Sequence, residues 1–454
     1  MKGKGFAAVG VIAAIVLALL LMCPVTWAGE GEAGGASGSP QDRDIYTVRT
    51  VDGVDLKIWR YRPDPGSPLR EGAQPVILMP GMACNFNFFN VHTPEGATYS
   101  TDLPEEPAPW AVGDEYLRED PMRYYSLAYY LWSRGYDVWL ANYRGQGRDA
   151  FRSGGASGYA IDELGIYDMP AIITRVREVT GRKPVWVGHS MGGVMSYIYL
   201  QGARFENMAD PNSRVISDPA LVCERNDGDG PQALKGLISL DGPAYPTGNL
   251  TCLLRLTLWT VLYVPFYLDL RPITANLGGA VASPVLGLEN LLRAVWRLLG
   301  CPDLLFPVNL MLSIYPENLN ADISSFFFQY AADGFSSRAV VQFLDACVNH
   351  KMREDYRNGF FNFWRWSPPW PRPGDGYYYY SDNLKKISLP TLVLVDATRD
   401  ITNPEEVEMV HALKTRDPRD RCYVIPGTAH ADIVLGLNAP TELFPRIGEW
   451  LESL

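Results

Sequence analysis

The sequence predicts an α/β protein: a doubly wound, mostly parallel sheet flanked by helices and carrying one helical cap insert. Three observations predict it. Short apolar runs recur without polar alternation, as strands buried on both faces require. Helical patterns separate several of these runs. The alternation then lapses between Pro246 and Lys386, where Leu, Trp, Phe and Tyr crowd together. The 454 residues are 47% hydrophobic and 12% aromatic, ample for a large core. A net charge of −11 argues against electrostatic binding to nucleic acid or to anionic lipid.

The elements follow in order. Lys2 and Lys4 precede an apolar run from Phe6 to Met22, and Thr26-Trp27-Ala28 offers a small-residue cleavage site. Residues 1–28 therefore read as an export signal, giving a periplasmic or secreted protein, with an uncleaved membrane anchor as the alternative. Residues 29–43 are a Gly/Ser/Glu-rich linker. Thr47–Tyr61 alternates around Asp52-Gly53 and predicts a β-hairpin. Further strands are expected at Pro75–Met79, Tyr136–Ala141, Val185–Val187, Leu237–Leu240, Leu392–Val395 and Cys422–Ile425. Helices are expected at Pro121–Ser133, Tyr167–Thr180, Val194–Gln201, Pro404–Lys414 and Thr441–Leu451, with His92–Pro121 as loop. The core then comprises residues 44–245 and 387–454. The insert, residues 246–386, carries helical runs at Leu288–Leu299 and Ser337–Asn349 and an aromatic stretch at Trp364–Tyr380. Its aromatics can form a core of their own and also line the underside of a cap over an apolar substrate pocket.

Cysteine and histidine usage narrows the chemistry. Loss of Cys23 with the signal leaves Cys84, Cys223, Cys252, Cys301, Cys347 and Cys422, an even number in an oxidising compartment. A Cys252–Cys301 bridge is expected, because both lie in the insert. There is no CxxC, and the five histidines show no metal-ligand spacing. No metal and no cofactor is expected.

Gly188-His189-Ser190-Met191-Gly192-Gly193 lies between an apolar strand and a helical pattern. Small residues two places either side of Ser190 let the chain turn sharply there, and the following helix offers free N–H groups to developing negative charge. Ser190 is thus a candidate nucleophile, and a serine hydroxyl needs a base. His189 is inside the elbow and points away from that hydroxyl. His411 falls on a surface helix, His350 in the insert and His92 in the early loop. His430, after the last strand, is the expected base. Three aspartates compete to orient it. Asp400 follows the strand Leu392–Val395 by a short loop and precedes Pro404, and it is the expected acid; Asp396 and Asp241 end strands and are the alternatives. The oxyanion donors are expected to be the Met191 N–H and the Met82 N–H, the latter in Met79-Pro80-Gly81-Met82-Ala83, where Gly81 permits close approach.

These residues resemble the α/β-hydrolases of the acid lipase and gastric lipase type. The resemblance runs through Thr50-Val51-Asp52-Gly53, Gly135–Gly145, Asp162-Glu163, Tyr167–Ala171, Thr180-Gly181, the elbow, and His430-Ala431-Asp432-Ile433. Pro80 replaces the usual histidine before the oxyanion glycine, and the elbow reads His-Ser-Met-Gly where the family has His-Ser-Gln-Gly. The resemblance implies an α/β-hydrolase fold and a Ser190–Asp400–His430 hydrolase of carboxylic esters acting through an acyl-enzyme. The expected partner is a small-molecule or lipid ester substrate, with contact to a membrane or lipid surface as an option, and the charge speaks against nucleic acid. The same fold also serves acyltransferases, thioesterases and serine aminopeptidases, and a binding protein built on a dead hydrolase is the remaining alternative.

Overall fold

A computed structural model describes residues 43–63, 72–156, 158–246, 266–276, 318–355, 376–398 and 402–454. The expected signal and linker up to residue 42, the run Leu288–Leu299, most of Trp364–Tyr380, the pair Cys252 and Cys301, and Asp400 lie outside the described residues. Cys84, Cys223, Cys347 and Cys422 are free thiols.

The hairpin forms where Asp52-Gly53 predicts it. Strand β1 (Arg43–Arg49) pairs antiparallel with β2 (Asp55–Tyr61), Arg49 opposite Asp55. Between them Thr50 N–H donates to the Val54 carbonyl at 2.8 Å. Gly53 takes φ 85°, a left-handed value that glycine adopts freely. Six more strands complete the sheet: β3 (Pro75–Met79), β4 (Asp137–Asn142), β5 (Val185–His189), β6 (Gly236–Leu240), β7 (Thr391–Asp396) and β8 (Arg421–Ile425). Their spatial order is β1-β2-β4-β3-β5-β6-β7-β8. β1, β2 and β4 are joined antiparallel, and every later pairing is parallel.

Alternate residues feed two cores. Val76 and Leu78 face one apolar cluster with Phe88, Leu140 and Trp450, while Ile77 and Met79 face another with Trp139, Trp186 and Ile198. That is why the β3 run shows no polar alternation: all five residues are buried. β8 departs from the expectation of strands buried on both faces. It is the edge strand, and Tyr423 and Val424 remain 40% and 42% exposed.

The helices include α1 (Leu127–Ser133), α2 (Met169–Thr180), α3 (Met191–Leu200), α4 (Ser337–Asn349, in the excursion between β6 and β7), α5 (Pro404–Leu413) and α6 (Phe444–Glu452). The single helix expected over Pro121–Ser133 is in fact two pieces. A 3₁₀ stretch, Pro121–Tyr125, ends at Ser126, whose hydroxyl then caps α1 by accepting from Tyr129 N–H. Likewise the Tyr167 start is replaced by a π turn over Leu164–Asp168. Pro170 has no N–H to give the Ile166 carbonyl, so regular winding starts only from Met169. The loop expected at His92–Pro121 holds a 3₁₀ turn, Pro109–Ala111, and a short helix, Glu115–Glu119, capped by Asp114. Among the described residues no helix is long and apolar enough to cross a membrane.

Two antiparallel β1-side strands, a parallel remainder and a strand–Ser190–helix turn in mid-sheet make this the α/β-hydrolase fold. Among the described residues, Met82, Ser190, Met191, Asp241, Asp396 and His430 follow the carboxyl ends of β3, β5, β6, β7 or β8.

Candidate active site

Ser190 occupies a turn that only its neighbours permit. Its backbone is at φ 50°, ψ −116°, a strained conformation of the kind found at active sites. A Cβ on Gly188 would lie 2.2 Å from the Gly192 carbonyl oxygen, and one on Gly192 would lie 2.4 Å from the Met79 carbonyl oxygen. The glycines two places either side are therefore required by sterics. Ser190 N–H is held by the Leu240 carbonyl at 2.8 Å, which ties the elbow to the end of β6.

His430 meets this serine: its Nε2 is 2.8 Å from Ser190 Oγ. For Nε2 to accept the hydroxyl proton, Nδ1 must carry the other hydrogen. Nδ1 is 3.3 Å from Thr402 Oγ1, and Thr402 Oγ1 donates to Asp396 Oδ2 at 3.0 Å. Asp241 Oδ2 faces the same nitrogen at 3.8 Å, fully buried and without a hydrogen-bond partner among the described residues. Its Oδ1 accepts from Asp396 N–H at 2.8 Å. Both alternative acids thus end beside His430, separated from it by a hydroxyl in one case and by a gap in the other.

The electrostatics follow from burial. Burial, and after it the nearby Asp396 charge, holds Asp241 well above the usual carboxylate range. Burial also pushes Asp396 up to about 6, against the neighbouring Asp241 side chain and the hydrogen bonds from Thr398 and Thr402, which pull it down. His430 is held well below the ordinary histidine value by burial, with His189 a smaller contributor. The imidazole is therefore neutral at neutral pH and able to accept a proton.

The aspartates and His430, scattered in sequence, gather only in the fold: one ligand-type atom from each of Asp241, Asp396 and His430 lies within 4.8 Å of the others. Histidine spacing could not have shown this. Their hydrogen bonds to Ser190, Thr398, Thr402 and the Asp396 N–H read as an acid–base cluster.

The loop after β3 lies against the elbow. A Cβ on Gly81 would come within 2.9 Å of His189 Nδ1 and 3.0 Å of Ser190 Cβ. Tyr143, buried in the core, donates its hydroxyl to the Gly81 carbonyl at 3.0 Å and fixes that oxygen away from solvent. Met82 follows Gly81, and Met191 opens α3, where the Gly193 and Val194 N–H groups donate to the Ser190 carbonyl at 2.9 and 3.0 Å. His189 turns away from the serine hydroxyl, as expected, and has a role the sequence did not disclose: Nε2 donates to the His430 carbonyl at 2.8 Å. Its ring stacks on Phe88 at 4.5 Å, and burial pushes its basicity down to about 4. The other histidines lie elsewhere: His411 is half-buried on α5, His350 ends α4, and His92 bonds the Asn90 carbonyl.

The chain is similar in sequence to several known proteins. The family described as serine aminopeptidase, S33, matches residues 117–254, a span that contains the elbow. Lipase member K of Homo sapiens is 23% identical over 411 residues, covering 88% of this chain and 85% of its own. Lipase member M of Homo sapiens is 21% identical, over 88% of this chain and 81% of its own. The chain resembles lipases. Gastric triacylglycerol lipase of Homo sapiens is 39% identical to this lipase-like chain over 80 residues, 16% of it and 20% of that protein. A solved esterase structure from Thermogutta terrifontis matches at TM-score 0.42 and 16% identity, over 91% of this chain and 98% of that one.

Proposed function

We propose that the protein is an exported serine hydrolase of carboxylic esters with an apolar acyl or alcohol part. The observation that carries the reading is the 2.8 Å contact between His430 Nε2 and Ser190 Oγ at a strained, glycine-flanked turn. Ser190 attacks the ester carbonyl while His430 takes its proton, and His430 returns that proton to the leaving alcohol. Met82 and Met191 N–H groups receive the developing oxyanion. A carboxylate must then hold the Nδ1–H of His430 through the imidazolium stage. We assign Asp400, on the connection between β7 and α5, two residues before Thr402, whose hydroxyl already touches Nδ1. Water then cleaves the acyl-enzyme. The export reading rests on Lys2, Lys4 and the apolar run Phe6–Met22.

The insert, residues 246–386, is proposed to cap the carboxyl edge and favour apolar chains. In support, Asn318 bonds Asp432 at 2.8 Å just beyond His430, and Phe327 meets Phe88, the ring stacked on His189. Each methylene buried in such a pocket contributes about 0.8 kcal/mol, roughly fourfold in kcat/KM per carbon. The test is a rate profile over p-nitrophenyl esters from acetate to octanoate, with Ser190→Ala as control. A rising profile lost in Ser190→Ala is expected; a flat or falling one contradicts the apolar pocket, and an active Ser190→Ala contradicts the mechanism. A second reading, the same triad cutting a peptide bond, is favoured by the serine aminopeptidase match over 117–254; aminoacyl p-nitroanilides in the same assay decide it.

A further inference from the structure

The loop that carries Met82 is not held by its own conformation. Ala83, next in the chain, sits at φ 58°, a left-handed value unfavourable for a residue with a side chain. Beside the Tyr143 hydroxyl on the Gly81 carbonyl, its support comes from a segment more than two hundred residues away, which enters from the excursion between β6 and β7. Cys84 forms a β-bridge with Ala332, Asn85 N–H donates to the Ala331 carbonyl at 2.9 Å, and Asp333 N–H donates to the Ala83 carbonyl at 2.7 Å. Asn85 Nδ2 adds a bond to the Tyr330 carbonyl at 2.9 Å.

Asp333 anchors this segment. Its carboxyl is fully buried. Oδ2 accepts from Asn85 Nδ2 at 3.1 Å and from Gly147 N–H at 2.8 Å, so one oxygen joins the loop after β3 to the loop after β4. Oδ1 accepts from Gly334 N–H at 2.7 Å and from the Tyr267 hydroxyl at 3.3 Å, with Arg271 Nη1 at 3.6 Å supplying the compensating charge. A buried carboxylate is expensive unless each lone pair is used, and here donors converge on it from four segments. None of these contacts involves a reacting atom, and no ordinary packing requirement calls for a charge there.

We propose that Asp333 is a positioning residue for the oxyanion hole: it locks the Tyr330–Gly334 segment onto Asn85 and Gly147, and that segment sets the direction of the Met82 N–H. The proposal rests on the reading of Ser190 as nucleophile and Met82 as oxyanion donor. It makes the segment between β6 and β7 part of the catalytic geometry, in addition to any role in substrate choice.

Asp333→Asn keeps the shape but turns one acceptor into an NH₂ facing donors. Loss of a whole oxyanion donor costs about 10²–10³ in kcat, so misaiming one should cost about 10–10². KM for a short p-nitrophenyl ester should stay within about threefold, since ground-state binding uses other contacts. The spectroscopic readout is the ¹³C=O stretch of a slowly deacylating acyl-enzyme, which hydrogen bonding in the hole lowers. Asp333→Asn should move it back towards the free ester. If Asp333→Asn does not fold, Asn85→Ser decides: serine can still cap the Asn87 N–H but cannot reach Tyr330 or Asp333, and the same loss is expected. Folded variants with wild-type kcat and carbonyl frequency overturn the proposal. An unshifted carbonyl in the wild-type acyl-enzyme removes the oxyanion reading itself, and the proposal with it.

Discussion

Acidification should destabilise the fold through His189 by an amount the structure sets. The ring is completely enclosed between Phe88 and the His430 loop, and burial pushes its basicity down to about 4. An unfolded histidine titrates near 6.5. Above that pH both states are neutral and the term vanishes. As pH falls below about 6.5 the unfolded chain takes up a proton that the native fold refuses until about 4. Stability therefore falls with pH across this window and levels off beneath it. The interval of about 2.5 units, at 1.36 kcal/mol per unit, gives roughly 3 kcal/mol. Other buried groups titrate too, His430 among them, so the term is isolated by difference. His189→Gln cannot titrate yet keeps an N–H for the His430 carbonyl. Urea midpoints of the two proteins, measured from pH 7.5 to 3.5, should converge towards the acid end as wild type loses its advantage. A difference that stays constant within about 0.5 kcal/mol would refute the argument that this ring is neutral by burial.

Further predictions concern the acid and the elbow. Asp400→Asn should lower kcat by about 10⁴, with Asp396→Asn and Asp241→Asn within about tenfold of wild type; a dead Asp241→Asn beside an active Asp400→Asn moves the acid to the end of β6. Gly192→Ala should lower the melting temperature although alanine favours helices by up to about 1 kcal/mol, because its Cβ would sit 2.4 Å from the Met79 carbonyl. An unchanged or higher melting temperature would show that the elbow tolerates a methyl group there.

Much of this was legible in the sequence, for local reasons. The strands β3 to β7 announced themselves because burial on both faces leaves no polar alternation, and the elbow because a serine at φ 50° needs small neighbours at fixed offsets. His430 was legible by elimination among five histidines. Other features depend on contacts that no local pattern encodes. Asn85 and Asp333 are 248 residues apart, and nothing near Asp333 marks it as a buried anion. Thr402 looks like a loop threonine until its hydroxyl is seen between Asp396 and His430. The break at Ser126 was readable in principle, since a serine three residues before Tyr129 is a capping signal inside an apolar run. β8 shows the opposite failure: an apolar run that reads as buried lies on the sheet edge, because position in the sheet is set by topology.

The central claim is that Ser190 is an activated nucleophile, and covalent trapping tests it most directly. Incubation of the folded protein with a fluorophosphonate, followed by peptide mass mapping, should place a single phosphonyl adduct on Ser190. Ester hydrolysis should disappear in step with labelling, and His430→Ala should slow labelling by several orders of magnitude, since a lone serine hydroxyl is a poor nucleophile. An adduct on another residue, or full hydrolytic activity in protein whose Ser190 is stoichiometrically labelled, would contradict the account.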